Sequence, residues 1–127
     1  MEEKEAHYHR GVTLYGQEDI NGALAEYERA LEMDPHYVDA LLGAAVACDR
    51  TGRLDHAVAF TLRAVRIDPE NLLAHTSLSL FFQKLGMTRS AEETQSVARI
   101  LAWKEEARVK RESPPQDTSG ESPFNIL

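Results

Sequence analysis

The chain repeats itself every 34 residues, and this period constrains its fold more than any other feature of the sequence. Four columns of identical residues share the interval: Ala23, Ala57 and Ala91; Ala30, Ala64 and Ala98; Pro35 and Pro69; Gly52 and Gly86. Agreement among four columns is not expected from composition alone. The sequence therefore predicts three copies of one small unit, stacked so that neighbouring copies bury a continuous core.

Each period reads as two amphipathic helices. In the second period, Leu41, Ala44 and Cys48 recur at helical spacing and predict the buried face of a first helix. Gly52 ends this helix, and Pro69 closes the second one, because neither residue continues a helix well. The predicted helices span residues 4–16, 20–33, 37–50, 54–67, 71–85 and 88–112.

Counted from Lys4, Val38 and Leu72, the periods fill most signature columns of the tetratricopeptide repeat family, which the chain resembles. The small residue of the first helix is Gly11, Ala45 and Ser79 in turn, and the large residue of the second helix is Tyr27, Thr61 and Gln95. The early tryptophan of the family is absent. The resemblance implies an all-α fold, a right-handed α-solenoid of three helical hairpins, with repeats at about 4–37, 38–71 and 72–105.

The third repeat departs from the pattern at its end. Trp103 stands where the first two repeats carry proline, so the last helix is expected to continue to about residue 112. Ile100, Trp103 and Ala107 fall on one stripe of this extension, which is interpreted as a capping helix for the stack.

The expected domain spans residues 1–112, and residues 113–127 are expected to form a disordered tail because prolines and serines dominate them. The tail contains the apolar cluster Phe124-Asn125-Ile126-Leu127. This cluster is either inert or a short docking motif for the groove of its own or a neighbouring chain.

Composition argues against several classes of function. The net charge of -7 disfavours nonspecific binding to nucleic acid, and no apolar run is long enough for direct insertion into a membrane. No phosphate-binding loop, nucleophile motif or metal-ligand spacing is present, so no catalytic residue, metal or cofactor is predicted. The carboxylates are expected on exposed faces without a pocket to shift their pKa. The single cysteine weakly favours a cytoplasmic location.

The family resemblance also implies that the first helix of each hairpin lines a concave groove. The predicted partner-binding residues are Tyr8, Val12, Tyr15, Leu42, Gly43, Val46, Leu73, Ser77 and Leu80. They form a mainly apolar surface, typical of an interaction site. Gly43 is expected to let a ligand approach closely. The expected partner is a protein or peptide that presents an apolar extended segment or an amphipathic helix.

The best-known ligand of such grooves, the acidic C-terminal tail of heat-shock chaperones, is not expected here. In the family a clamp of lysine, asparagine and arginine holds that tail. The matching positions of this chain are Tyr8, Val12, Gly43, Leu73 and Ser77, none of which is a cation. A carboxylate bound there would lose its hydration without compensation.

The leading interpretation is a non-enzymatic scaffold or adaptor that recruits a protein partner. The alternative is a non-catalytic accessory or assembly subunit of a larger enzyme or membrane complex. Self-association into a homo-oligomer is compatible with either.

Overall fold

Three helical hairpins follow one another along the chain. The computed structural model describes residues 3–112, and in that range the regular secondary structure is α-helical throughout. The helices are α1 (Glu3–Gly16), α2 (Ile20–Met33), α3 (Val38–Arg50), α4 (Leu54–Ile67), α5 (Leu72–Lys84) and α6 (Thr88–Glu112). Each predicted helix is present, with bounds within one residue of those predicted.

Small side chains let the helices approach closely. The recurring alanines of the second helices are buried in all three hairpins: Ala23, Ala30, Ala57, Ala64, Ala91 and Ala98. The stripe predicted for α3 is also buried, with Leu41 at 0% and Cys48 at 1% exposure. Burial raises the pKa of the Cys48 thiol. The thiol therefore stays protonated and packs as a small apolar group.

Tyr27 packs between the first hairpin and the second. Its side chain is 3% exposed and lies against two glycines, Gly11 of α1 and Gly43 of α3. A Cβ added at Gly11 would lie 2.6 Å from Tyr27 Cε1, and one added at Gly43 would lie 2.8 Å from Tyr27 Cζ. The two glycines therefore form the slot that the ring occupies. Burial is the main reason that the pKa of Tyr27 is raised to about 12.

The turn inside each hairpin places one residue in the left-handed backbone region. Gly52 (φ 79°) and Gly86 (φ 76°) do so in the second and third hairpins. Glu18 (φ 66°), 34 residues before Gly52, does so in the first hairpin and bears a cost that glycine avoids. Its carboxylate accepts a hydrogen bond from Arg50 at 2.7 Å, so the strained turn is tied to α3.

A buried carboxylate on α2 contradicts the expectation that every acidic group lies on an exposed face. The Glu26 side chain is 12% exposed and accepts hydrogen bonds from His7 Nδ1 at 2.7 Å and Arg29 Nη1 at 2.9 Å. Arg10 Nε donates a third at 3.3 Å. These donors, His7 foremost, hold the pKa of Glu26 below its usual range. The sequence pattern missed this cluster because its members are 16 and 19 residues apart.

The last helix continues to Glu112, as expected from the missing proline, but its apolar stripe is not buried. Ile100 is 58% exposed and Trp103 is 69% exposed, so the predicted capping contact is not made within residues 3–112. The buried residues of α6 are instead Ala91 and Ala98, and Trp103 lines an open cleft beside the start of α5. The predicted tail, residues 113–127, lies outside the described residues.

Enlarging either glycine beside Tyr27 should destabilise the first two hairpins. In Gly43→Ala the added methyl group overlaps the rigid ring, and overpacking of this kind costs about 1–3 kcal/mol. Better helix propensity offsets up to about 1 kcal/mol of that cost. Urea unfolding followed by circular dichroism measures the difference. Gly16→Ala is the matched control, because nothing lies within 4 Å of its Cβ position and its stability should not fall.

Replacing Glu26 should lower the free energy of unfolding and make it depend less on pH in the acid range. A folded-state pKa below the usual value of about 4.3 means that the stabilisation is complete above that pH and is lost as the pH falls through the lowered pKa. Glu26→Gln should cost about 1–2 kcal/mol at pH 7. The loss should shrink in acid. Unfolding at pH 7 and pH 3 measures it, with exposed Glu28→Gln as the control; equal losses for both variants would contradict the assignment.

Candidate partner-binding face

The first helices of the three hairpins lie side by side and form one face, called here the first-helix face. Arg50 joins α3 to the first hairpin through Tyr15 Oη at 3.2 Å and Glu18 at 2.7 Å. Lys84 joins α5 to α3 through both carboxylate oxygens of Asp49, at 2.9 and 2.8 Å. These bridges connect residues 32 to 35 positions apart, about one repeat, and hold the three helices in register.

Aromatic rings cluster at one end of this face. The ring of Tyr8 lies 5.8 Å from that of Tyr27 and 5.4 Å from that of Tyr37, which precedes α3. At the other end of α1, the Arg50 guanidinium lies 5.4 Å from the centre of the Tyr15 ring. Tyr37 and Arg50 were not among the predicted site residues. The 34-residue period could have drawn attention to Tyr37, since the next period carries the helix-capping Asn71 at that position.

The predicted site residues differ widely in how much surface they offer. Val12 (45%), Leu73 (61%) and Leu80 (46%) are well exposed. Tyr8, Tyr15, Val46 and Ser77 are half-buried. Leu42 is only 6% exposed and belongs to the core. Gly43 is half-buried and lies against the Tyr27 ring, which occupies the space that a Cβ would take.

Acidic groups surround the aromatic end. Burial, and then the charges of Asp39 and Glu5, raise the pKa of Tyr37. Burial and Asp39 also raise the pKa of Tyr8. The cations that α3 and α5 contribute to the face, Arg50 and Lys84, are each already bound to a carboxylate. Lys4 Nζ also lies 5.5 Å from the centre of the Tyr37 ring, so two carboxylates and one ammonium group act on this end of the face.

Two clefts flank the third hairpin. One, of about 570 Å³, runs between α5 and α6; its lining includes Leu72, Leu80, Gln95, Ala98, Arg99 and Ala102. The other, of about 610 Å³, lies between the start of α5 and the extension of α6, and includes Trp103, Lys104 and Arg108. Both open beside exposed apolar side chains, Leu80 in the first cleft and Trp103 in the second.

The described residues offer little to reaction chemistry. No group of three or more His, Cys, Asp or Glu in residues 3–112 is placed to hold a metal ion. His75, 8% exposed, uses Nε2 to hydrogen-bond the Pro69 carbonyl at 2.7 Å and so ties α5 to the preceding turn. None of the helices in this range is both long and apolar enough to cross a membrane.

Curated relatives share the repeat over part of their length. The chain is 35% identical over 81 residues to the TPR repeat-containing thioredoxin TTL4 of Arabidopsis thaliana. The matched segment covers 64% of this chain and 12% of that protein. It is 31% identical over 85 residues to sperm-associated antigen 1 of Mus musculus, covering 67% of this chain and 9% of the relative. The chain thus spans a small fraction of the relatives that it matches.

Solved structures share the fold. The crystal structure of MamA superimposes with a TM-score of 0.79 at 22% identity, covering 82% of this chain and 61% of MamA. The second TPR of Spaghetti (RPAP3), solved bound to the HSP90 peptide SRMEEVD, superimposes with a TM-score of 0.76 at 16% identity, covering 79% and 93%. The family model for the tetratricopeptide repeat matches residues 4–71, more than half of the chain. With this match and the repeated hairpins, the chain belongs to the tetratricopeptide repeat family and folds as an all-α solenoid.

Proposed function

We propose that the chain is a protein-interaction scaffold whose first-helix face binds an apolar segment or amphipathic helix of another polypeptide. The observation that carries the proposal is the exposure of Val12, Leu73 and Leu80 on this one face. Exposed apolar side chains grouped on one face are typical of a protein-binding surface. Half-buried tyrosines beside them add large contact area at a small entropic cost.

The charged groups on the first-helix face limit which kinds of partner it can bind. Glu5 and Asp39 act on Tyr37, and Lys4 Nζ already lies 5.5 Å from the centre of that ring, so a lysine or arginine of the partner would compete with Lys4 to gain both a carboxylate and an aromatic ring at this end. An acidic peptide gains neither. The proposed ligand is therefore an apolar segment with a cationic residue near one end, and it differs from the peptide bound by Spaghetti.

Charge substitution on the exposed part of the face should abolish partner binding. Val12→Glu and Leu73→Glu introduce a carboxylate that would have to lose its hydration in the complex. Met33→Glu, at a side chain 47% exposed outside the predicted site, is the matched control for Val12 at 45%. Affinity capture from the native source, with circular dichroism to verify folding, compares the variants. A partner retained equally by all three would contradict the proposal. Leu42 is unsuitable for this test because its replacement would disturb the core.

The chain should not bind an acidic chaperone tail. Titration calorimetry with the peptide SRMEEVD should give no heat of binding beyond dilution, because the clamp positions hold Tyr8, Val12, Gly43, Leu73 and Ser77. The second TPR of Spaghetti serves as the positive control. Affinity in the micromolar range would overturn the proposed preference.

The alternative, a non-catalytic accessory subunit, is supported by a different observation. Ile100 and Trp103 are exposed on α6, where the equivalent positions of the second hairpin hold Arg66 and Pro69. An apolar stripe of this kind suits a permanent partner better than a transient one. A stoichiometric partner that survives high salt during purification would favour this function over a transient scaffold.

A further inference from the structure

The two ends of the helical stack differ in character. At the first hairpin, the outer side of α1 carries the exposed polar residues His9, Arg10 and Thr13. At the third hairpin, the cleft between α5 and α6 remains open and exposes Leu72 (39%) and Leu80 (46%). This cleft of about 570 Å³ is called here the terminal socket.

The repeat itself shows what fits such a socket. In the first hairpin the equivalent positions, Tyr27 and Ala30, are buried, and in the second hairpin so are Thr61 and Ala64. In each case the first helix of the next hairpin covers them. In the third hairpin no helix follows within residues 3–112, and Gln95, the equivalent of Tyr27, is exposed. The terminal socket thus has the form of a seat for one more helix.

The face that such a helix must present can be read from α3 and α5. Ala40 of α3 and its equivalent Ala74 of α5 are both 0% exposed and belong to the core cluster. Ala47 (0% exposed) and its equivalent Phe81 (2% exposed), seven positions further along each helix, also belong to the core cluster. A helix with a small residue followed seven positions later by an apolar one therefore matches the terminal socket.

One charged side chain lies at the edge of the terminal socket. Arg99 is the single charged side chain among the socket residues of the described chain. It donates a hydrogen bond to Ser96 Oγ at 3.4 Å, and no carboxylate in residues 3–112 pairs with it. An acidic residue on the incoming helix would supply the missing partner and gain a charge-assisted hydrogen bond.

A second copy of this chain fits the terminal socket poorly. Its α1 would bring Thr13 and His9 where Phe81 and Ser77 stand in α5, so polar groups would be buried. If the terminal sockets of two copies faced each other, neither copy would present a helix that could fill the cleft of the other. Residues 113–127 contain three prolines and one glycine, a composition that disfavours a helix of the required length.

We propose that the terminal socket binds an amphipathic helix of a partner protein, which docks as the first helix of a fourth hairpin and pairs an acidic residue with Arg99. This site shares Ser77 and Leu80 with the first-helix face, but Val12 and Leu73 lie outside the socket lining, and Arg99 and Ala102 belong to the socket and not to that face. Variants at these unshared residues therefore test the two sites separately.

A synthetic helix tests the terminal socket. The probe carries the α5 residues Ala74, Leu78 and Phe81 on one side and glutamates on its remaining positions; the matched peptide carries lysines instead. Fluorescence anisotropy with the full chain should show saturable binding of the glutamate peptide and about tenfold weaker binding of the lysine peptide. Equal affinity for both, or none for either, would overturn the proposal.

Variants of the full chain locate the site. Arg99→Glu should reverse the preference, so that the lysine peptide binds more tightly than the glutamate peptide. Ala102→Glu should weaken binding of the glutamate peptide at least tenfold. Arg89→Glu, at a side chain 93% exposed on the same helix, is the matched control and should leave binding unchanged. Leu73→Glu should also leave it unchanged, which distinguishes failure at the terminal socket from failure at the first-helix face.

Two outcomes would assign the terminal socket to another occupant and overturn the proposal. The first is a dimer in sedimentation equilibrium that Ala102→Glu dissociates, which would identify a second copy. The second is a tenfold gain in peptide affinity in the variant Phe124→Ser, which would show that residues 113–127 already fill the socket.

Discussion

The packing of Tyr27 against Gly11 and Gly43 is the contact on which the arrangement of the first two hairpins depends. A ring that is 3% exposed can occupy the space between α1 and α3 only because neither helix has a side chain there. The same ring supports Tyr8, whose other neighbour is Tyr37. The aromatic end of the first-helix face is therefore built directly on the core, so that substitutions at the glycines should disturb both stability and the candidate site.

The third hairpin repeats the helices of the first two but not their packing. Gln95 occupies the position of Tyr27, and it is exposed where Tyr27 is buried. Because no helix follows α6 within residues 3–112, Leu72 and Leu80 are accessible beside it in the described structure. Because each hairpin depends on its neighbours for burial, the last one retains unsatisfied apolar surface, and that surface supplies both the terminal socket and the exposed stripe of α6.

Electrostatics separates the two candidate surfaces. Asp39 and Glu5 outnumber Lys4 at the aromatic end of the first-helix face, whereas Arg99 gives the terminal socket a cation without a carboxylate partner in residues 3–112. An apolar ligand with a positive end and an apolar helix with acidic residues are therefore directed to different places. Under the proposed function, the two surfaces would serve two kinds of partner, as a scaffold requires.

The 34-residue period determined the helices, their order and most of the core, because each repeated unit can bury its apolar face only by stacking on its neighbours. Val12, Leu73 and Leu80, which the sequence predicted as partner-binding residues, are exposed, and their role in binding stays a prediction. Tertiary structure decided what spacing cannot encode. It buried Leu42, turned Gly43 towards Tyr27, gathered His7 and Arg10 around Glu26, and left Ile100 and Trp103 exposed. Each of these outcomes depends on which helix lies opposite, and residues far apart in sequence meet only after the hairpins have stacked.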